Sequence, residues 1–193
     1  MKVAIIKYNA GNIHSVRLAL QRLHIDPIVT DDPDSIIKSD KVIFPGVGEA
    51  RSAMNYLKHR KLDKLLLNLK QPVLGICLGL QLMCQWSEEN NTKCLGIFPA
   101  NVRKFPPKNK VPHMGWNTIS QLRGDLFNDV SENSYVYFVH SFFVEYLPDA
   151  TAKTQYITQF GSSMQRNNYY AVQFHPEKSG IIGEQILKNF LEL

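Results

Sequence analysis

The chain has 193 residues, 44% hydrophobic and 20% charged, which excludes wholesale disorder and suits one folded domain spanning 1–193. Its net charge of +5 is mild and scattered, so no nucleic-acid partner is expected, and no apolar run approaches the ~20 residues that span a bilayer. Three cysteines, Cys77, Cys84 and Cys94, form no C-x-x-C pair; they argue against a disulfide framework or a zinc cluster and for a reducing cytoplasm.

Val3-Ala4-Ile5-Ile6 reads as a first, buried strand, too short in its apolar part for a signal peptide. Asn12 or Ser15 is placed to cap a helix carrying Val16, Ala19, Leu20 and Leu23 at helical spacing. Pro27-Ile28-Val29 and Val42-Ile43-Phe44 are further strands, the latter cut off by Pro45-Gly46. Helices follow from Ala50 through Tyr56 and through Leu62, Leu65, Leu66 and Leu69. The basic cluster Lys58, His59, Arg60, Lys61 and Lys64, interrupted by Asp63, reads as a solvated helix face. Pro72-Val73-Leu74-Gly75-Ile76 is apolar on both faces, as a central parallel strand requires, and a helix is expected from Leu78 to Trp86. The second half is β-rich over 96–120 and 134–174, with strands at Tyr135–Val139, Phe142–Val144 and Tyr170–Phe174. A final helix places Ile182, Ile186, Leu187 and Phe190 on one face. The pattern is an α/β fold: a mostly parallel central sheet flanked by helices, with an added antiparallel portion in the second half.

Gly75-Ile76-Cys77-Leu78-Gly79 ends a strand and opens a helix, in the form of a nucleophile elbow with cysteine in the serine position. The flanking glycines allow the tight turn, which lifts the side chain to the carboxyl edge of the sheet beside a helix N-terminus, a setting that favours thiolate. The Leu78 N–H is expected to be free for an oxyanion. Neither Cys84, expected on the same helix, nor Cys94, in a loop, has a glycine frame; both read as structural.

A thiol nucleophile needs a base, and the base an orienting group. Among six histidines, only His175 precedes a carboxylate at i+2 across a stiff residue, in Phe174-His175-Pro176-Glu177. Pro176 biases His175 toward extended backbone, where i and i+2 point the same way, so Cys77, His175 and Glu177 form a candidate triad. Pro45-Gly46-Val47-Gly48 can aim backbone amides at an anion, though taken alone it is a strand-terminating turn.

Gly75-Ile76-Cys77-Leu78-Gly79-Leu80-Gln81 together with Gln173-Phe174-His175-Pro176-Glu177-Lys178-Ser179 resembles the class I, triad-type glutamine amidotransferases. Tyr8-Asn9-Ala10-Gly11-Asn12-Ile13, Pro45-Gly46-Val47-Gly48 and Pro112-His113-Met114-Gly115-Trp116-Asn117 narrow the resemblance to the glutaminase subunits of imidazole glycerol phosphate synthase, in histidine biosynthesis. The likeness runs from residue 1 to the final helix.

The resemblance implies a flavodoxin-like sheet and hydrolysis of L-glutamine to glutamate and ammonia through a thioester on Cys77, with His175 as base and acid. It implies oxyanion donors around Gly46, Val47, Gly48 and Leu78, and glutamine contacts at Gln81, Ser141 and Phe142. It implies a heterodimer with a (β/α)₈-barrel cyclase that receives the ammonia, with Asn12 and Lys178 near the interface. No cofactor, metal, nucleic acid or membrane is implied. The chain departs from the family's frequent pattern at Lys7, Asn9 and His14, and Phe142-Phe143 is more apolar than the usual Tyr-containing strand. For Phe142 and Phe143, ordinary packing and a glutamine-site role stand level. Three other readings share the elbow: the same chemistry serving another synthase, a cysteine hydrolase or protease, and a non-catalytic module.

Overall fold

The computed structural model describes residues 1–9, 11–148 and 150–193. Ala10 of the Tyr8–Ile13 motif lies outside the described residues. In chain order the first half runs β1 (Val3–Ile6), α1 (Ile13–Arg22), β2 (Ile28–Thr30), α2 (Pro33–Ile37), β3 (Lys41–Phe44), α3 (Ala50–His59), α4 (Leu62–Asn68), β4 (Val73–Ile76) and α5 (Leu78–Met83). The second half adds β5 (Trp86–Ser87), β6 (Thr92–Lys93), β7 (Asn101–Lys104), β8 (His113–Ile119), β9 (Ser134–His140), β10 (Phe142–Glu145), β11 (Ala152–Gln155), β12 (Gln159–Arg166) and β13 (Tyr169–Val172). A 3₁₀ turn over Pro176–Lys178 leads into α6 (Gly180–Glu192).

The main sheet has the order β2-β1-β3-β4-β13-β12-β10-β7-β5-β6, with β11 added on β12. The five strands β2-β1-β3-β4-β13 are mutually parallel; β12 runs antiparallel to β13, and β10 antiparallel to β12. This parallel order is that of the flavodoxin-like doubly wound fold, which binds ligands outside the carboxyl ends of its strands. Strands β8 and β9 form a separate antiparallel pair.

The period of two along each parallel strand explains the two-sided core. Ala4, Ile6, Val42, Phe44 and Val73 face one layer with Ile36 of α2, Met54 and Leu57 of α3, and Leu62 and Leu66 of α4. Val3, Ile5, Ile43, Leu74 and Ile76 face the other, against Val16 and Leu20 of α1 and Ile186, Leu187 and Phe190 of α6. Ile182 is only partly buried at the edge of that second layer.

Several expectations need correction. The helix after Cys77 ends at Met83, not Trp86. Cys84 turns extended because the next amides serve other partners: Gln85 N–H donates to Ala100 O at 2.9 Å, and Trp86–Ser87 pairs with β7. Cys84 is therefore a helix end rather than a helical residue. Asn12 stands at the N-cap of α1 but makes no side-chain cap bond, and Ser15 lies inside the helix. Strand β13 stops at Val172, so Gln173 and Phe174 lie beyond it. Helix α2 adds an element that the hydrophobic pattern did not single out; Asp32 caps it by accepting from Ser35 N–H, and Pro33 opens it.

Candidate active site

The carboxyl ends of four of the five parallel strands each contribute one part. Tyr8 follows β1, Pro45–Gly48 follows β3, Cys77 follows β4, and Gln173 and His175 follow β13. Val47, Gly48 and Cys77, together with the β9–β10 corner, border a pocket of about 280 Å³ whose lining also includes Gln81, Glu89, His140 and Ser141.

Cys77 sits at φ 53°, ψ −106°, a strained conformation for a residue with a side chain. The glycine frame is steric. A Cβ on Gly79 would lie 1.9 Å from the Phe44 carbonyl oxygen, and one on Gly75 would lie 2.9 Å from Met83 Sδ and 3.0 Å from Gly79 C. Only glycines let strand, elbow and helix pass this closely. The thiol is 5% exposed, yet it lines the pocket. Gln173 Nε2 lies 3.6 Å from its sulfur.

His175 Nδ1 donates to Glu177 Oε1 at 2.8 Å, both side chains being fully buried. The expected geometry is corrected in one respect. His175 is extended, but Glu177 belongs to the 3₁₀ turn opened by Pro176, so the pair meets through a turn rather than along a strand. The backbone is held by His175 N–H to Tyr137 O at 2.9 Å and by Ser179 Oγ to His175 O at 2.6 Å. Burial pulls the imidazole pKa down. The charge and hydrogen bonding of Cys77, then those of Glu177, outweigh burial and push it up to about 10. The imidazole is thus set between a sulfur and a carboxylate that both favour its protonated form. Its Nε2 has no partner at full hydrogen-bond geometry among the described residues.

Asn12 Nδ2 donates to Glu177 Oε1 at 2.6 Å and lies 3.2 Å from His175 Nδ1. The resemblance implies a place near a partner interface for Asn12; its side chain lies against the Glu177 carboxylate. Lys178 Nζ stands 5.9 Å from the Tyr137 ring centroid and is exposed.

The oxyanion elements differ from expectation. The Leu78 N–H is not free: it donates to Gly46 O at 3.2 Å. The Gly46–Val47 peptide is planar and trans, so its own N–H points the opposite way. Tyr8 Oη donates to Pro45 O at 2.6 Å, and a Cβ on Gly46 would fall 2.1 Å from that hydroxyl. Gly11 N–H reaches Val47 O at 3.2 Å.

Gln81 Nε2 donates to Phe142 O at 2.9 Å and to Gln173 Oε1 at 3.0 Å, which leaves Oε1 as the polar atom it offers a ligand. Ser141 and Phe142 line the pocket beside it, while Phe143 turns into the core and stacks on Phe105 with centroids 4.5 Å apart. Glu89 was not singled out in the sequence. It lines the pocket, caps Ala50 N–H at 2.7 Å, and has its carboxyl pKa raised by burial and then by Glu49. Gln173 was legible only as part of a motif. A polar residue directly after the apolar Tyr169–Val172 strand was the signal.

Cys84 and Cys94 are buried away from this pocket; burial raises both thiol pKa values, that of Cys94 to about 12. Each thiol donates to a backbone carbonyl, Cys84 Sγ to Leu80 O at 3.5 Å and Cys94 Sγ to Thr92 O at 3.6 Å.

A cysteine on a strained elbow at the edge of a flavodoxin-like sheet, with a His–Glu pair from the adjacent strand, defines a class of enzyme. The chain belongs to the class-I glutamine amidotransferase family, whose model matches residues 5–193. Among curated proteins it is similar to "Imidazole glycerol phosphate synthase subunit HisH" of Bacteroides fragilis (strain YCH46), 55% identical with all of both chains covered. It is 54% identical to the subunit HisH of Bacteroides thetaiotaomicron, again over the whole of both chains. The fold matches a crystal structure of a glutamine amidotransferase at TM-score 0.76 and 16% identity, covering 98% of this chain and 97% of that one. A second glutamine amidotransferase, from Thermotoga maritima, aligns at TM-score 0.67 and 16% identity over 99% of this chain and 80% of its own.

Proposed function

We propose that this chain, as one domain over 1–193, is the glutaminase subunit of imidazole glycerol phosphate synthase in histidine biosynthesis. The observation that carries the chemistry is the buried 2.8 Å His175–Glu177 bond beside Cys77 on a strained, pocket-lining elbow. The full-length likeness to HisH subunits supports the choice of synthase.

In this reading L-glutamine enters with its side-chain amide over Cys77. Glu89 supplies a carboxylate for the substrate ammonium, and Gln81 Oε1 and the Ser141–Phe142 backbone supply polar contacts. The sulfur attacks the amide carbon. His175 protonates the departing nitrogen, the C–N bond breaks, and a γ-glutamyl thioester remains. Water then attacks the thioester, giving its proton to His175, and glutamate leaves as the C–S bond breaks. Glu177, held by Asn12, stabilises the imidazolium throughout.

The oxyanion needs donors, and the Gly46 carbonyl occupies one of them. Rotation of the Gly46–Val47 peptide would release Leu78 N–H and turn Val47 N–H inward. The isolated chain is therefore a poor glutaminase, and the partner favours the rotated turn.

The partner is a (β/α)₈-barrel cyclase that takes the ammonia and forms imidazole glycerol phosphate and aminoimidazole carboxamide ribotide. Support for a docking face lies on the β8–β9 pair. Met114, Trp116 and Tyr135 expose more than half of their surface there. This face borders the triad, since Tyr137 packs edge-on to Trp116 at 6.0 Å and accepts from His175 N–H. Asn12 and Lys178 flank it, and we place them near the interface. Three free, buried cysteines suit a cytoplasmic setting.

Glutamine hydrolysis measured with and without the cyclase and its ligand tests the reading. It predicts glutamate release that depends on both. Peptide cleavage without glutaminase activity, or capture of a chorismate-using subunit and no barrel cyclase, rejects it.

A further inference from the structure

Two buried histidines that the mechanism above does not use lie at this pocket, His140 in its lining and His113 behind it. His140 ends β9 and His113 opens β8, directly across the pair. His140 Nδ1 is 2.7 Å from Phe142 O, His113 Nδ1 is 3.0 Å from His140 Nε2, and Asn117 Nδ2 is 3.2 Å from His113 Nε2.

Donor and acceptor chemistry fixes the direction of this chain. A carbonyl only accepts, so the His140 proton is on Nδ1 and its Nε2 accepts. His113 must then donate from Nδ1 and accept at Nε2. The Asn117 amide is oriented to supply that proton, because its Nδ2 also donates to Gln155 O at 3.0 Å while its Oδ1 accepts from Thr118 N–H at 2.8 Å. Every junction is satisfied only when both rings are neutral. A second proton on His140 would set two N–H groups against each other.

The surroundings enforce neutrality. His113 is stacked between Tyr156 at 4.1 Å and Phe138 at 4.8 Å, and Phe105 and Phe160 close over His140. Burial opposes protonation of His140, as do His113 and His175, and only the hydrogen bond to the Phe142 carbonyl favours it.

The far end of the chain is the active site. Phe142 O accepts from both His140 Nδ1 and Gln81 Nε2, and Gln81 continues to Gln173, whose amide lies beside the Cys77 sulfur. We infer that His140 and His113 are positioning residues for glutamine: a neutral imidazole relay, anchored at Asn117, that holds the Phe142 carbonyl and so aims Gln81 into the pocket. The inference rests on the glutaminase reading for what is positioned, while the relay itself stands on geometry.

Two measurements test it. Long-range proton–nitrogen spectra of the histidine-labelled chain at about pH 7 and about pH 5.5 are expected to show both rings neutral with the proton on Nδ1. A cationic ring, or a proton on Nε2 of either, overturns the relay. Kinetics of the chain with its cyclase form the second. His140→Phe keeps ring packing but removes both hydrogen bonds; it is expected to raise KM for glutamine on the order of tenfold with a smaller change in kcat. His140→Asn puts an amide donor where Nδ1 was and is expected to recover most of that loss. His140→Phe with unaltered KM, or Phe and Asn variants that lose only thermal stability and do so equally, overturns the positioning role. A wild-type complex that hydrolyses no glutamine refutes the glutaminase reading, and the positioning role with it. An active wild type with an unaffected His140→Phe variant refutes the role alone.

Discussion

The Gly46 carbonyl oxygen accepts the Leu78 N–H at 3.2 Å, so the backbone donor next to the nucleophile is occupied by the turn that must also serve the oxyanion. In the proposed function this hydrogen bond must break before the Leu78 N–H can serve an oxyanion. Glutamate release by the isolated chain is expected to run at least ~10²-fold below that of the cyclase complex, the usual worth of one oxyanion donor. Full turnover by the purified chain alone contradicts this.

Asn12 gives a second prediction. Its amide donates to Glu177 Oε1, and Glu177 Oε2 is buried without a partner among the described residues, so the carboxylate has few bonds to lose. Asn12→Ala is expected to lower kcat/KM about tenfold and stability by ~1–2 kcal/mol. Asn12→Asp sets a second carboxylate against Glu177 and is expected to be worse than alanine. Steady-state kinetics and urea unfolding of both variants check the order.

The elbow glycines separate steric from conformational constraint. Gly79→Ala drives a methyl into the Phe44 carbonyl, backbone against backbone, and is expected to cost ~3 kcal/mol or more or to prevent folding. At Gly48 a Cβ meets nothing within 4 Å, but φ is +131°. Gly48→Ala is expected to cost ~1–3 kcal/mol through strain or to shift the turn. Expression yield and unfolding midpoints rank the two.

Acid stability follows from the buried histidine pair. Burial lowers His140 to about 3 and His113 to about 4, below the unfolded value near 6.5. Their contribution is complete above pH ~6.5 and is lost as pH falls toward the folded values, because the unfolded chain binds protons first. His175 acts in the other direction: its raised pKa stabilises below pH ~6.5 and loses effect as pH rises through about 10. Between pH ~6.5 and ~4 the pair governs, and unfolding free energy is expected to drop by on the order of 1 kcal/mol per pH unit for each neutral histidine. A His113→Phe/His140→Phe double variant is expected to flatten that slope in urea melts.

The parallel core and the candidate triad residues were legible because their signals are local. Val3–Ile6, Val42–Phe44 and Val73–Ile76 are apolar on both faces, and glycine frames Cys77 within five residues. The elbow and the His-Pro-Glu motif needed only the rule that parallel strands bring their carboxyl ends together. What was illegible depends on distant backbone. Helix α5 stops at Met83 because Gln85 N–H finds Ala100 O, and Leu78 N–H is occupied because the Pro45–Gly48 turn folds over it. Asn12 swings from a cap position to Glu177 across the fold, a choice no neighbouring residue announces. Helix α2 is a different case, since Asp32-Pro33 with Ser35 is a local start signal that hydrophobic periodicity alone passed over.

The most direct test is covalent. The complex with its cyclase is mixed with glutamine, quenched in acid within one turnover, and the Cys77 peptide is examined by mass spectrometry. A γ-glutamyl thioester on Cys77, absent from Cys84 and Cys94 and slowed in both formation and hydrolysis by His175→Ala, is the predicted result. Glutamine consumption that continues in Cys77→Ala, or an acyl group found on another residue, contradicts the account.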